Sequence, residues 1–362
     1  MKNNILIIGP FSPPITGVSV ANDLLYVELA KNSWWVDRIN TEFNNSISAS
    51  HGTLNLRKFE IIKSYFKGIK IFRSKIVYIT IGQTFFGVVK YAPFIFLATF
   101  LKKKIVVHLH GNHLLNEYNE LKGVKRHIFS AILKRTSYGI VLSKSLRKNF
   151  DPFLPQERIF ELFNFFEKNI SVSEEEFLDK KNYKHINLLF LSNFLEEKGI
   201  NVFFEAIREI NKRGILINVK IAGNKVANNN IDNYLKELTF IEYCGVVKEL
   251  KKKELLLWSN VFCLPTFYKM EGQPISIIEA MATGNLILTT KHAGITDICS
   301  EENAVFCKKN DVDDLVNQIL FLSNNIKQIE TIGKYNYKQA NVLFTQDKFV
   351  DEADNILQRC MN

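Results

Sequence analysis

Two glutamates, Glu271 and Glu279, are separated by seven residues in the run Leu264-Pro265-Thr266-Phe267-Tyr268-Lys269-Met270-Glu271-Gly272-Gln273-Pro274-Ile275-Ser276-Ile277-Ile278-Glu279-Ala280-Met281-Ala282-Thr283-Gly284. The run reads as a buried strand ending at Leu264, a loop to Gly272, and a helix with Pro274 in its first turn and Gly284 at its C-terminal cap. Backbone N–H groups from Gln273 to Ser276 then point out of a helix N-terminus, where a phosphate can bind without a cation. Gly272 carries no Cβ and lets a ligand come close to the backbone. Glu271 sits in the loop at the mouth of this site and Glu279 more than one turn inside the helix. Ser276, Glu279 and Thr283 also share the three-and-four spacing of a solvated helix stripe, so spacing alone leaves both readings open.

Four other stretches carry residue types suited to chemistry. In Phe190-Leu191-Ser192-Asn193-Phe194-Leu195-Glu196-Glu197-Lys198-Gly199-Ile200 a lysine stands at the start of a helix. His108-Leu109-His110-Gly111 closes an apolar strand at its carboxyl end, the edge at which open α/β sheets take ligands, and His113 follows two residues later. The loop Ser12-Pro13-Pro14-Ile15-Thr16-Gly17-Val18 follows the first strand. Ala222-Gly223-Asn224 and Cys244-Gly245-Val246-Val247 are glycine turns after later strands. A metal centre at His108 and His110 needs a third ligand that the sequence does not offer nearby. There is no Asp-x-Asp motif after a strand. Asp311-x-Asp313-Asp314 opens a helix and reads as a capping cluster.

The elements that must position these residues are short, apolar, β-branched strands alternating with amphipathic helices. The strands expected in the first half are 4–9, 76–80, 105–109 and 139–142. Those in the second half are 186–191, 217–222, 241–243, 261–264 and 286–289. Strands apolar on both faces are buried on both faces, which marks parallel sheets covered by helices. Two doubly wound α/β domains in tandem result. The expected division is an N-terminal domain over 1–167, a linker over 168–185 rich in Ser, Glu and Lys, and a C-terminal domain over 186–345. An amphipathic helix over 346–362 lies beyond the second sheet and is expected to pack back on the first domain.

With 362 residues, two domains are the natural expectation, and 46% hydrophobic with 23% charged residues is an ordinary globular balance. The five cysteines include no C-x-x-C pair and read as small buried residues in a reducing compartment. The N-terminus lacks the pattern of a signal peptide. The longest apolar run, Tyr91 to Leu101, is about half the roughly 20 residues that span a bilayer. The expected location is therefore either the cytoplasm or, peripherally, the cytoplasmic face of the inner membrane. The net charge of +10 is concentrated: residues 1–160 hold 23 basic and 9 acidic residues. Lys63, Lys67, Lys70 and Arg73 recur along one helical region beside Tyr65, Phe66 and Phe72, and Lys122, Lys125, Arg126, Lys134 and Arg135 form a second run. A basic amphipathic surface of this kind suits an anionic bilayer. No nucleic-acid module is recognisable, so nucleic acid is not an expected partner. Gly9-Pro10-Phe11-Ser12 is not the G-x-G-x-x-G turn of a nicotinamide-dinucleotide site.

Taken together, the Glu-Gly-x-Pro start and Glu-Ala-x-Ala-x-Gly end of the Glu271–Glu279 run resemble the large family 4 type of retaining GT-B glycosyltransferases, which includes bacterial surface-polysaccharide enzymes. The resemblance covers most of the chain. It implies two Rossmann-like domains facing an interdomain cleft, and transfer of a hexose or N-acetylhexosamine from a UDP- or GDP-sugar, without metal or other cofactor. The implied acceptor is a lipid-linked glycan of O-antigen or capsule synthesis. By motif match Glu271 contacts the donor sugar, Glu279 the ribose hydroxyls, Lys198 the diphosphate, and His110 the sugar and leaving phosphate. Gly17 belongs to a glycine loop over the diphosphate, with Val18 where the family usually has a second glycine. Asn193 stands where the family usually has an arginine, and it offers a hydrogen bond but no charge. The backbone near Val246 reads the base, and Gly272, Gln273, Pro274 and Ile275 line the donor. The rival readings are a GT-B-fold nucleotide-sugar epimerase and a non-catalytic nucleotide-sugar-binding relative.

Overall fold

A computed structural model describes residues 3–32, 34–42, 61–180, 182–226 and 230–361. Met1 and Lys2, which precede the first expected strand, lie outside the described residues. The chain divides into two compact units. The first comprises Met1–Phe163, Met270–Gln273 and Asp347–Asn362; the second comprises Asn164–Lys269 and Pro274–Gln346.

The first unit is built on six strands: β1 (Asn3–Gly9), β2 (Trp34–Asn40), β3 (Ile76–Ile81), β4 (Lys104–Leu109), β5 (Tyr138–Val141) and β6 (Ile159–Glu161). Their order is β2-β1-β3-β4-β5-β6, and the pairings among the described residues are parallel. Ile5 of β1 lies between Val36 and Ile76, and Val107 of β4 between Ile79 and Gly139. Ile5–Ile8 and Val77–Ile79 are wholly buried, as two-sided apolar strands must be when helices cover both faces. The terminal helix Gln346–Met361 contributes Asp354, whose Oδ1 accepts from Trp34 Nε1 at 2.8 Å, and Arg359, whose guanidinium lies 4.7 Å over the Phe160 ring.

The second unit carries β7 (Asn187–Leu191), β8 (Asn218–Ala222), β9 (Ile241–Tyr243), β10 (Val261–Leu264), β11 (Leu286–Thr290) and β12 (Ala304–Cys307), in the parallel order β12-β11-β10-β7-β8-β9. Strands β2, β6 and β12 are not among the expected ones. Each lies at a sheet edge, where one flank is solvated and the apolar run breaks; β2 includes Asp37 and Arg38, and Trp35 is exposed.

Residues 168–185, expected as a linker, group with the second unit. Their acidic composition conceals three anchors, Ile170, Val172 and Phe177, all buried. The Phe177 ring stacks on Tyr337 at 4.4 Å, and the Tyr337 hydroxyl donates to the Val172 carbonyl at 2.9 Å. Leu178 is exposed.

A buried amide node fixes the helix Ile275–Ala282 against β11. Asn285 Nδ2 donates to the carbonyls of Leu256 at 2.9 Å and Ala280 at 3.0 Å, and Asn285 Oδ1 accepts from Ser259 Oγ at 2.8 Å. Asn336 Nδ2 in turn donates to the Asn285 carbonyl at 2.8 Å. Gly284 ends the helix at φ +77°, and a Cβ there would sit 2.1 Å from the Phe177 ring. Replacing Asn285 by Ala removes its buried side-chain hydrogen bonds to Leu256, Ala280 and Ser259. Asn285→Ala is expected to lose about 3 kcal/mol of stability, read as an earlier denaturant midpoint by circular dichroism.

Candidate functional site

In the second unit, β10 ends at Leu264 and feeds the loop that leads to the helix Ile275–Ala282. That loop is tied to the segment after β7: Phe267 N donates to the Glu197 carbonyl at 2.8 Å, and Thr266 Oγ1 to the same oxygen at 3.3 Å. Gly199 has φ +82°, and a Cβ there would lie 2.3 Å from the Pro265 carbonyl oxygen, so only glycine lets the two segments meet. Lys198 is thereby set beside the loop, its Nζ 5.0 Å from the centroid of the Tyr268 ring. Tyr268 carries no signal in the sequence beyond its place in the motif. Asn193 lies on the same segment as Lys198 and is half-buried.

Pro274 occupies the N-cap with ψ 119°, one position before the expected first turn, because its extended backbone lets its carbonyl accept the first intrahelical bond, from Ile277 N at 3.1 Å. No side chain caps this end. The amides of Ile275 and Ser276 open the helix, without acceptors inside it.

Glu279 is not on a solvated stripe: it is 3% exposed and Thr283 is fully buried. One carboxylate oxygen of Glu279 is hydrogen-bonded to Lys252 Nζ, from the helix Glu249–Trp258. Lys252 also lies 3.5 Å from Glu167 Oε1. Burial raises the Glu279 pKa, and Lys252 pulls it back. Lys252 escaped sequence reasoning because lysine runs are usually solvated faces, and Lys251 and Lys253 flank it. Val246 is exposed in the loop after β9, whose Gly245 carbonyl accepts from Gly223 N at 2.9 Å.

In the first unit, β4 delivers His108 inside the sheet and His110 just past its carboxyl end. The two rings lie 3.9 Å apart by centroid. Tyr78 of β3 meets His108 Nδ1 through its hydroxyl at 2.5 Å. The Nε2 atoms of His108 and His110 are buried and make no hydrogen bond. Burial lowers the His110 pKa to about 4, and burial together with the His110 ring holds His108 well below the usual histidine range.

The segment Met270–Gln273 groups with this unit. Glu271, Gly272 and Gln273 are buried in it. The glycine at 272 lies close to protein backbone: a Cβ would lie 2.6 Å from the His110 carbonyl oxygen and 3.0 Å from Gly111 Cα. Gln273 Nε2 reaches the Leu142 carbonyl at 3.5 Å. Gln83, which the sequence did not single out, clamps the arrangement. Its Nε2 donates to the Met270 carbonyl at 3.1 Å, and its Oε1 accepts from His113 N at 2.7 Å. Gly111 is open enough to seat it, since a Cβ there would overlap the Gln83 amide. Gly17 opens the helix Gly17–Lys31, whose N-cap Thr16 accepts from Ser19 N at 3.1 Å in a capping box. His113, Glu117 and Glu120 form a group with metal-ligand proximity among the described residues, apart from His108 and His110.

Comparison with known proteins gives a consistent picture. Residues 172–339 match the model of the family described as glycosyl transferases group 1. An uncharacterized glycosyltransferase of Methanocaldococcus jannaschii is 26% identical over 69% of this chain and 68% of its own length. A glycosyltransferase of Escherichia coli named for colanic acid biosynthesis is 24% identical over 48% of this chain and 45% of its own. Among solved structures, the sucrose-phosphate synthase of Thermosynechococcus elongatus superposes with TM-score 0.75 at 15% identity, covering 99% of each chain. Anabaena HepE, solved in complex with UDP-glucose, superposes with TM-score 0.73 at 13% identity, covering 98% of this chain and 99% of that one. The fold is thus that of the GT-B glycosyltransferases.

A neutral His110 has a consequence for stability. Its folded pKa of about 4 lies below the 6.5 of a free histidine, so the unfolded chain takes up a proton first as pH falls. The native state is favoured in full above pH 6.5, and on the order of 3 kcal/mol is lost between pH 6.5 and 4. The unfolding midpoint should fall over that window, and fall less steeply in His110→Asn; equal slopes would show that His110 is not the group responsible.

Proposed function

We propose that the protein is a glycosyltransferase that moves a hexose or N-acetylhexosamine from a UDP- or GDP-sugar to a lipid-linked glycan, with retention of anomeric configuration and without metal; the match of residues 172–339 to the group 1 family supports this reading. The observation that carries this reading is the second unit's pairing of a cation and helix amides with a buried carboxylate: Lys198 beside the loop after β10, the uncapped start of Ile275–Ala282, and Glu279 inside the same helix. In this reading Lys198 and the Ile275 and Ser276 amides hold the diphosphate, and Glu279 holds the ribose hydroxyls. Glu271 and His110 contact the transferred sugar.

The bond from the anomeric carbon to the β-phosphate oxygen breaks, and its electron pair stays on phosphate. An acceptor hydroxyl bonds to the anomeric carbon from the face that phosphate leaves, and its proton passes to the phosphate oxygen. Charge grows on the diphosphate as this happens. Preorganised donors aimed at that charge lower the barrier because they bind the transition state more strongly than the ground state. The E. coli relative's name, which refers to colanic acid, supports a polysaccharide acceptor.

The acceptor's lipid side is supported by the surface of the first unit. The helix Ile61–Phe66 and the 3-10 turn Lys67–Arg73 expose Phe66 (81%), Ile69 (71%) and Phe72 (59%) among Lys63, Lys67 and Arg73. Aromatic side chains interleaved with cations suit the interface of an anionic membrane.

Three experiments test the reading. Incubation with a panel of UDP- and GDP-sugars should raise the melting temperature for one donor, with sugar transfer needing an acceptor and surviving EDTA. Lys198→Ala should keep the fold and lose turnover by roughly a hundredfold or more; near-normal turnover, or consumption of donor without acceptor, would refute the assignment. In flotation at low salt, the protein should rise with phosphatidylglycerol vesicles and not with phosphatidylcholine vesicles, and the Phe66→Ser/Phe72→Ser double variant should stay behind. Equal flotation of variant and parent would remove this surface from the reading.

A further inference from the structure

A carboxylate that is 3% exposed, one turn inside a helix, has little water to keep it ionised or to fix its direction. Glu279 has one cationic contact among the described residues, Lys252 Nζ at its Oε1. Lys252 is itself only 17% exposed, and its ammonium is shared with Glu167 Oε1 at 3.5 Å. The helix bearing it, Glu249–Trp258, is tied down next door, where Lys253 Nζ meets Glu176 Oε2 at 2.8 Å. The lysine is therefore anchored from two sides and engages one oxygen of Glu279, which leaves the other oxygen to accept hydrogen bonds.

We propose that Lys252 is a positioning residue for the nucleotide: through its hold on Oε1 it keeps Glu279 an oriented acceptor for the two ribose hydroxyls. This rests on the assignment of Glu279 to the ribose. Lys252 acts through Glu279 and not on the ligand. Its effect must then depend on the ribose hydroxyls being there. Without the lysine, the buried carboxyl is protonated or turned away and presents a poorer acceptor to a diol. A ligand that lacks both hydroxyls does not register the difference. A lysine that merely held the fold together would weaken both ligands alike.

The experiment is isothermal titration of the full chain at neutral pH with UDP and GDP, and with the 2′,3′-dideoxy form of whichever binds. The variants are Lys252→Met, Lys252→Arg and Glu279→Gln, each checked for native circular dichroism. Lys252→Met should weaken the ribonucleotide at least tenfold and leave the dideoxynucleotide within about twofold of wild type. Lys252→Arg should recover most of the loss. If Lys252→Met fails to fold, the same comparison is made with Lys252→Gln, which removes the charge and is one atom shorter. Equal weakening of both nucleotides, or no weakening, overturns the proposal. Unchanged ribonucleotide binding in Glu279→Gln overturns the ribose assignment itself, and that outcome is distinct from a failure confined to Lys252.

Discussion

A carboxylate buried in a parallel α/β unit is the constraint from which much of the second unit's arrangement follows. Taking an ion out of water costs several kcal/mol unless a partner and hydrogen bonds replace the solvent. Glu279 meets this requirement with Lys252, and Lys252 is held in turn by Glu167. Glu167 is supplied by the segment that enters the unit, and Lys252 by the helix before β10. Glu279 itself comes from the helix after β10. Three stretches distant in sequence are thereby fixed to one point, and the amide node at Asn285 secures the same helix at its other end.

The first unit depends on a different kind of contact, backbone against backbone. Gly272 meets His110 and Gly111 at distances no Cβ could tolerate, and Gln83 spans Met270 and His113 above Gly111. A glycine is required here by the protein's own main chain. The motif glycine reads in the sequence as a place for a ligand to approach, and its structural duty is to admit the strand end that carries His110.

The two-sheet design was legible in the sequence because buried parallel strands are apolar on both faces; nine of the strands announce themselves as short β-branched runs. The edges β2, β6 and β12 did not, because a half-solvated strand breaks that run. In residues 168–185, read as a linker, the buried Ile170, Val172 and Phe177 are dispersed among glutamates and show no period. In the site, the Glu271–Glu279 spacing could be recognised but not explained by periodicity. Its first glutamate lies in a loop and its second in a helix, so no single period relates them. Lys252, Gln83 and Tyr78 were invisible, since each acts through a contact made far along the chain: Lys252 with Glu279, Gln83 with Met270, and Tyr78 with His108.

The histidine pair limits how the proposed reaction can be run. Two imidazole rings 3.9 Å apart, with both Nε2 atoms buried, do not become imidazolium cations at neutral pH, and burial takes His110 to about 4. His110 is therefore a neutral ring that can make one directed hydrogen bond to a sugar or phosphate oxygen, not a cation that offsets phosphate charge. Asn193 supplies no charge either. In the proposed reaction the positive potential at the departing diphosphate falls to Lys198 and to the amides and dipole of the helix that begins at Ile275. In the proposed reaction the negative charge grows on the diphosphate, so donors aimed at that group are the ones whose binding strengthens on the way to the transition state.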